Sequence, residues 1–225
     1  MGMKTLEEPE ILREAREKMV HSQIELRGIQ NAAVLAAMRA VPRHVFVPSE
    51  LVEEAYDDCP LPIGEGQTIS QPYIVGLMTT LLRPRAGQRI LEVGTGSGYQ
   101  AAVLAQMVGD VYTLERIGSL AARAAQLFER LELGNVHVQQ GDGCLGWPEA
   151  APFDGIILTA GAPQIPQPLF DQLAEGGRLV GPVGSRFHQM LQVWVKEGGR
   201  LEGEDTIAVA FVPLRGQFGW GAEEW

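Results

Sequence analysis

The sequence predicts an α/β fold: a mostly parallel sheet covered by helices, with antiparallel C-terminal strands and an N-terminal helical extension. Three observations carry this. From Arg89 onward, strand-length apolar runs alternate with amphipathic stretches, and short connections between them call for βαβ units in a sheet buried on both faces. The runs Met190–Val195 and Thr206–Val212 follow one another across the turn Glu197-Gly198-Gly199, as an antiparallel pair does. The first 85 residues show helical spacing and loops without that alternation.

In order, Ile11, Leu12, Ala15, Met19, Val20 and Ile24 fall at helical spacing, and Gly28 marks the stop. Val34, Leu35 and Met38 suggest a second short helix, ended by Pro42. The stretch from Arg43 to Gly66 is rich in Pro and Gly and reads as loop with room for a hairpin. Ser70 precedes Gln71-Pro72 and then Ile74, Leu77, Met78, Leu81 and Leu82, the pattern of an N-cap, an early Pro and an apolar helix face. The core reads as strand Arg89–Val93, helix Tyr99–Val108, strand Asp110–Leu114 and a helix carrying Ile117, Leu120, Ala121, Ala124, Phe128 and Leu131. Strands Val136–Gln139 and Phe153–Thr159, helix Pro168–Ala174, the turn Gly176-Gly177 and strand Arg178–Pro182 complete it. One domain over 1–225 is expected, with an extension over 1–85 and a core over 86–225.

Composition narrows the function classes. At 225 residues, 45% hydrophobic and 20% charged, the chain can bury a core without disulfides or metals. A net charge of −10 opposes binding to nucleic acid or anionic membrane, both of which require neutralised phosphates. Fifteen of 18 basic residues are Arg and only two residues are Asn; a heat-resistant host and genomic base composition explain this equally well. Cys59 and Cys144 make no scaffold, the N-terminus carries no apolar signal core, and Leu6 stands where an N-myristoylation site at Gly2 needs Ser or Thr. No apolar run reaches membrane-spanning length, so a cytoplasmic protein is expected. His21, His44, His137 and His188 lack ligand spacing, so no metal is expected. Gly96-Ser97-Gly98 follows Thr95, which removes the hydrolase nucleophile elbow.

The chemistry concentrates in Leu91-Glu92-Val93-Gly94-Thr95-Gly96-Ser97-Gly98-Tyr99-Gln100. This stretch leaves a strand and enters a helix, and its glycines let a ligand approach backbone N–H groups. Glu115, at the end of the next strand, stands where an acid binds a ribose hydroxyl pair. A dinucleotide fingerprint would place its third glycine at Tyr99; here glycine falls at Gly94, Gly96 and Gly98, with Glu92 before them. That form resembles the loop of S-adenosylmethionine-dependent methyltransferases, in which a carboxylate can hold the cofactor's ammonium. Gly141-Asp142-Gly143 ends the third strand. Alone it is an Asp-Gly turn; beside the two earlier acids, Asp142 reads as an acceptor for the adenine amino group. Cys144 either touches the cofactor or fills core space.

Longer motifs point further. Pro42–Pro48, Leu61-Pro62-Ile63-Gly64, Gly66–Tyr73, the glycine loop, Gly141-Asp142-Gly143, Ala151–Asp154, Gln172-Leu173 with Gly176-Gly177-Arg178, and Phe211-Val212-Pro213-Leu214 together resemble protein-L-isoaspartate O-methyltransferases. The resemblance runs from about residue 19 to about residue 215 and leaves out the acidic start and the aromatic tail from Phe218. It implies a Rossmann-like methyltransferase fold. It also implies transfer of a methyl group from S-adenosylmethionine to the free carboxylate of L-isoaspartyl residues in damaged proteins, with S-adenosylhomocysteine as product. The ester would then collapse to a succinimide, whose hydrolysis returns some aspartate. Ser70 is implied as the catalytic and substrate-binding residue. Thr68, Ile69 and Arg116 would join Glu92, Glu115 and the two glycine motifs around the cofactor, with Val212 and Leu214 over the substrate. A monomer is expected. A methyltransferase for another carboxylate, and a cofactor-binding module without activity, are the competing readings.

Overall fold

The computed structural model describes residues 8–221; the readings at Gly2 and Leu6, and the last residues of the aromatic tail, lie outside that range. The extension begins with α1 (Glu10–Met19). The chain continues through a π-helical turn, Val20–Ile24, and a 3-10 turn, Glu25–Arg27, closing on left-handed Gly28. The expected helix is present, with its register altered over the second half. In α2 (Ala32–Ala40) the Asn31 side chain accepts hydrogen bonds from Ala33 and Val34 N–H, a regular N-cap. The expected hairpin forms from β1 (Leu61–Gly64) and β2 (Gln67–Ile69), paired antiparallel.

The helix α3 (Pro72–Leu82) departs from the sequence reading. Its N-cap is Gln71, not Ser70, and no side chain caps it. Pro72 occupies the first helical position, where its missing N–H costs nothing, so the cap falls on the residue immediately before it. Among the described residues the half-buried Ser70 hydroxyl makes no hydrogen bond.

The core comprises β3 (Arg89–Val93), α4 (Tyr99–Ala105), β4 (Asp110–Glu115), α5 (Gly118–Arg130), β5 (Val136–Gln140), β6 (Phe153–Leu158), α6 (Gln167–Gln172), β7 (Leu173–Gly184), β8 (Gln189–Glu197) and β9 (Arg200–Val209). The sheet order is β5-β4-β3-β6-β7-β8-β9. The first five strands run parallel, and β8 and β9 add antiparallel pairs. Alternation along β3 sends Ile90 to one apolar cluster and Leu91 and Val93 to the other. The first cluster also takes in Met19, Ile24, Met38 and Met78, so extension and sheet share one core.

Several boundaries differ: α4 ends at Ala105, not Val108, and α6 at Gln172, not Ala174. Leu173 pairs with Phe153, and β7 therefore starts five residues before the expected strand, with an irregularity before Arg178. The last strand begins at Arg200 and ends at Val209, so Val212 leaves the sheet. The run Arg200–Asp205 carried no apolar alternation because β9 is an exposed edge strand, and edge strands keep charge to deter pairing.

Replacement of Ser70 by Ala should leave stability within about 0.5 kcal/mol, read as an unchanged denaturation midpoint. A loss of about 1 kcal/mol would restore Ser70 as the cap.

Candidate active site

Parallel sheets bind ligands at the carboxyl ends of their strands where the chain order reverses; here that point is β3, between β4 and β6. As β3 ends, Gly94 and Thr95 N–H both donate to Leu114 O, at 2.9 and 3.2 Å, folding the loop across β4. Gly94 sits at φ +103° with the Thr159 hydroxyl packed where a Cβ would stand. Gly98, at φ +89°, would put a Cβ 2.6 Å from the Phe128 ring. Both conditions require glycine.

Two acids anchor this loop. Glu115 is buried; its Oε2 accepts from Gly96 N–H at 2.8 Å and its Oε1 from Ile117 N–H at 2.9 Å. Each oxygen keeps a lone pair, so a vicinal diol can still be bound. Glu92 is wholly buried. Its Oε2 accepts from the Thr113 hydroxyl, which lies 2.6 Å from that of Thr95, and its Oε1 has no hydrogen-bond partner among the described residues. Burial pushes the Glu92 carboxyl up to about 8; the Thr113 hydrogen bond opposes this and the nearby Glu115 charge adds to it. A buried carboxylate with one unpaired oxygen on a cleft wall suits a cationic group, and an open diol acceptor lies beside it. These residues fit the ammonium and ribose of S-adenosylmethionine.

A single cleft brings together most of the residues singled out from sequence. Thr68, Ile69 and Ser70 line it from the hairpin, Glu92, Gly94 and Gly96 from β3 and its loop, and Glu115 and Arg116 from β4. Gly143 closes one side, and Val212 and Leu214 form the roof. The roof rests on Gly161, whose N–H donates to Val212 O and whose carbonyl accepts from Leu214 N–H, both at 2.8 Å.

Three expected residues do not line the cleft. Gly98 caps α4 behind the loop. Gly141 N–H donates to Glu115 O at 2.9 Å. The Asp142 carboxylate accepts from Cys144 N–H at 2.9 Å and from Gln217 N–H at 2.7 Å, because the returning C-terminal segment lies against it. Cys144 is fully buried among Leu91, Val93 and Leu114, and burial pushes its thiol up to about 12; it acts as core filler. Sequence reasoning missed Thr159, whose hydroxyl donates to Val93 O at 2.9 Å. It ends β6 next to β3, and the strand-end rule alone would have found it. Tyr99 and Gln100 also line the cleft; Tyr99 sits at a helical core spacing, which gave it no functional reading, and Gln100 entered only as the end of the glycine-loop stretch. No cluster of three or more potential metal ligands occurs among the described residues.

The chain is similar to proteins of one family. The family model described as protein-L-isoaspartate(D-aspartate) O-methyltransferase matches residues 14–219. A protein-L-isoaspartate O-methyltransferase from Methanoculleus marisnigri is 54% identical over 211 residues, covering 94% of this chain and 96% of that one. One from Geobacter metallireducens is 53% identical over 211 residues, covering 93% and 98%. A solved protein-L-isoaspartate O-methyltransferase superposes with TM-score 0.84 at 31% identity, over 91% of this chain and 67% of that one. A Plasmodium falciparum structure of that description, in complex with S-adenosyl-L-homocysteine, gives 0.78 at 26% identity over 89% and 98%.

Glu92 makes stability depend on pH. Its folded pKa of about 8 stands well above the ordinary carboxyl range, so the neutral carboxyl's contribution is complete below the unfolded value and lost as pH rises through about 8. In the ligand-free protein Glu92→Gln should therefore raise Tm at pH 9 by roughly 4–8 °C, the shift of ~2 kcal/mol at this length, and change little at pH 4.5. Equal Tm values at pH 9 would contradict the buried, neutral carboxyl.

Proposed function

The chain belongs to the protein-L-isoaspartate(D-aspartate) O-methyltransferase family, and we propose that the Thr68–Ser70 end of its cleft receives the substrate carboxylate while the glycine-loop end holds the cofactor. It transfers a methyl group from S-adenosylmethionine to the free carboxylate of L-isoaspartyl residues in damaged proteins. The resulting ester passes to a succinimide and initiates repair. One observation carries the site assignment: the same cleft joins the buried pair Glu92 and Glu115 to a Ser70 hydroxyl that has no partner among the described residues.

When bound, the cofactor supplies a methyl group on a positively charged sulfur. The chain's own residues do the rest. Glu92 Oε1 balances the ammonium, Glu115 takes the ribose hydroxyls, and Thr68, Ile69 and Arg116 border the adenosyl group. The isoaspartyl carboxylate is ionised at neutral pH, so no general base is needed. Ser70 donates its hydroxyl hydrogen to that carboxylate and sets its angle of approach. Val212 and Leu214 cover the substrate backbone and, with the hairpin, keep water from the nucleophile.

The chain acts as one domain and a monomer, free of nucleic acid and membrane, in the cytoplasm. The core shared by extension and sheet supports the first point, and the net charge of −10 supports the exclusion of polyanions. Among the described residues no helix is long and apolar enough to cross a membrane.

The test is a pair of peptides, one isoaspartyl and one aspartyl, of identical sequence. They differ by one methylene moved from side chain to backbone, so only geometry separates them, and a misplacement of about 1 Å costs roughly a hundredfold in rate. Labelled methanol released from the ester should appear at least that much faster from the isoaspartyl peptide. Ser70→Ala should lower turnover while leaving cofactor affinity unchanged. Comparable rates on both peptides would remove the substrate assignment; undiminished turnover in the variant would remove Ser70.

A further inference from the structure

The roof of the cleft is held by a side chain outside it. The ladder between β8 and β9 ends at the pair Gln189 and Val209, since β8 begins at Gln189. Beyond that point the chain through Phe211 has no β8 backbone left to pair with. The Gln189 carboxamide takes over: Oε1 accepts from Phe211 N–H at 2.9 Å, and Nε2 donates to Phe211 O at 3.2 Å. The side chain thus makes the two bonds that a further strand residue would make. Gln189 is buried, only 3% exposed, so these bonds are shielded from water. Gly161 leaves the room: a Cβ there would stand 2.9 Å from the carboxamide. Gly161 also binds Val212 O and Leu214 N–H.

With these groups paired, Val212 N–H has no partner among the described residues, although Val212 lines both the cleft and the adjoining grooves beside Thr68 and Ser70. We propose that Gln189 is a positioning residue for the polypeptide substrate: by clamping both backbone groups of Phe211 it presents Val212 N–H to a carbonyl of the substrate main chain next to the isoaspartyl residue. This rests on the assignment of the Val212–Leu214 segment to the substrate. An unclamped segment would have to be ordered anew each time a peptide binds, and that cost falls on affinity, not on the chemical step.

The experiment measures kcat and KM for an isoaspartyl peptide, and cofactor Kd by calorimetry, in wild type, Gln189→Leu and Val212→Pro. Gln189→Leu removes both clamp bonds; Val212→Pro removes the N–H that no described residue accepts, together with a side chain of the cleft wall and freedom at Phe211, so only its peptide KM is read. Both variants should raise peptide KM about tenfold, the effect of one lost hydrogen bond, and in Gln189→Leu, whose side chain lies outside the cleft, kcat should stay within about threefold and cofactor Kd within about twofold of wild type. Gln189→Glu, which keeps the acceptor for Phe211 N–H, should fall between wild type and Gln189→Leu. Unchanged KM in Gln189→Leu or Val212→Pro, or a parallel loss of kcat, KM and cofactor affinity in Gln189→Leu, would overturn the proposal and leave the methyltransferase reading intact. A wild-type protein that neither methylates nor binds the peptide would overturn both.

Discussion

The site depends on a carboxyl group placed where water cannot reach it. Glu92 lies on the central strand, fully buried, with one oxygen held by Thr113 and the other free. A charge there without a counter-ion is costly, and a second acid, Glu115, raises that cost. Burial therefore raises its pKa to about 8, which favours the neutral form at pH 7. Much of the surrounding architecture is consistent with this requirement. The loop crosses to Leu114 O, Gly96 N–H faces Glu115, and the Thr95–Thr113 hydroxyl pair extends the Glu92 hydrogen bond.

The sheet supplies only one end of the cleft, the one proposed for the cofactor. The other end, proposed for the substrate, is assembled from chain segments about 140 residues apart: the hairpin with Ser70, and the Val212–Leu214 segment returning from the edge strand. Each is fixed by buried polar groups. Gln189 clamps the returning segment. On the other side Arg43, wholly buried, donates to Ala55 O at 2.7 Å and Cys59 O at 3.3 Å, and its guanidinium lies 5.3 Å from the centre of the Tyr99 ring. Desolvation lowers its pKa. Arg43 thus ties the loop ahead of the hairpin to the helix that follows the glycine loop. The two ends of the cleft are held in register through Gln189 and Arg43, neither of which lines it.

What the sequence disclosed follows from how local each cause is. The glycine loop was legible because positive φ and close approach leave glycine little alternative, and the parallel strands because burial on both faces makes them continuously apolar. Glu92 and Glu115, picked out by their spacing from that loop, both lie on the cleft. Ser70 was misread as a helix cap because Ser before Gln-Pro satisfies the pattern, whereas Pro72 at the first helical position moves the cap to Gln71. The edge strand was placed late because its exposed half carries Glu202, Glu204 and Asp205. Asp142 meets Gln217, and Gln189 meets Phe211; both contacts are set by where the tail returns, which no local pattern encodes.

The buried acid is tested most directly by counting protons. At pH 7 the Glu92 carboxyl, with its pKa near 8, is mostly neutral, and the cofactor's α-amino group is mostly charged. Pairing them requires the carboxyl to ionise. Calorimetric titration of S-adenosylhomocysteine at pH 7, in two buffers of different ionisation heat, should show release of about one proton per ligand in wild type and none in Glu92→Gln. Wild-type binding without proton release would contradict the account, placing the ammonium elsewhere or leaving Glu92 protonated beside it.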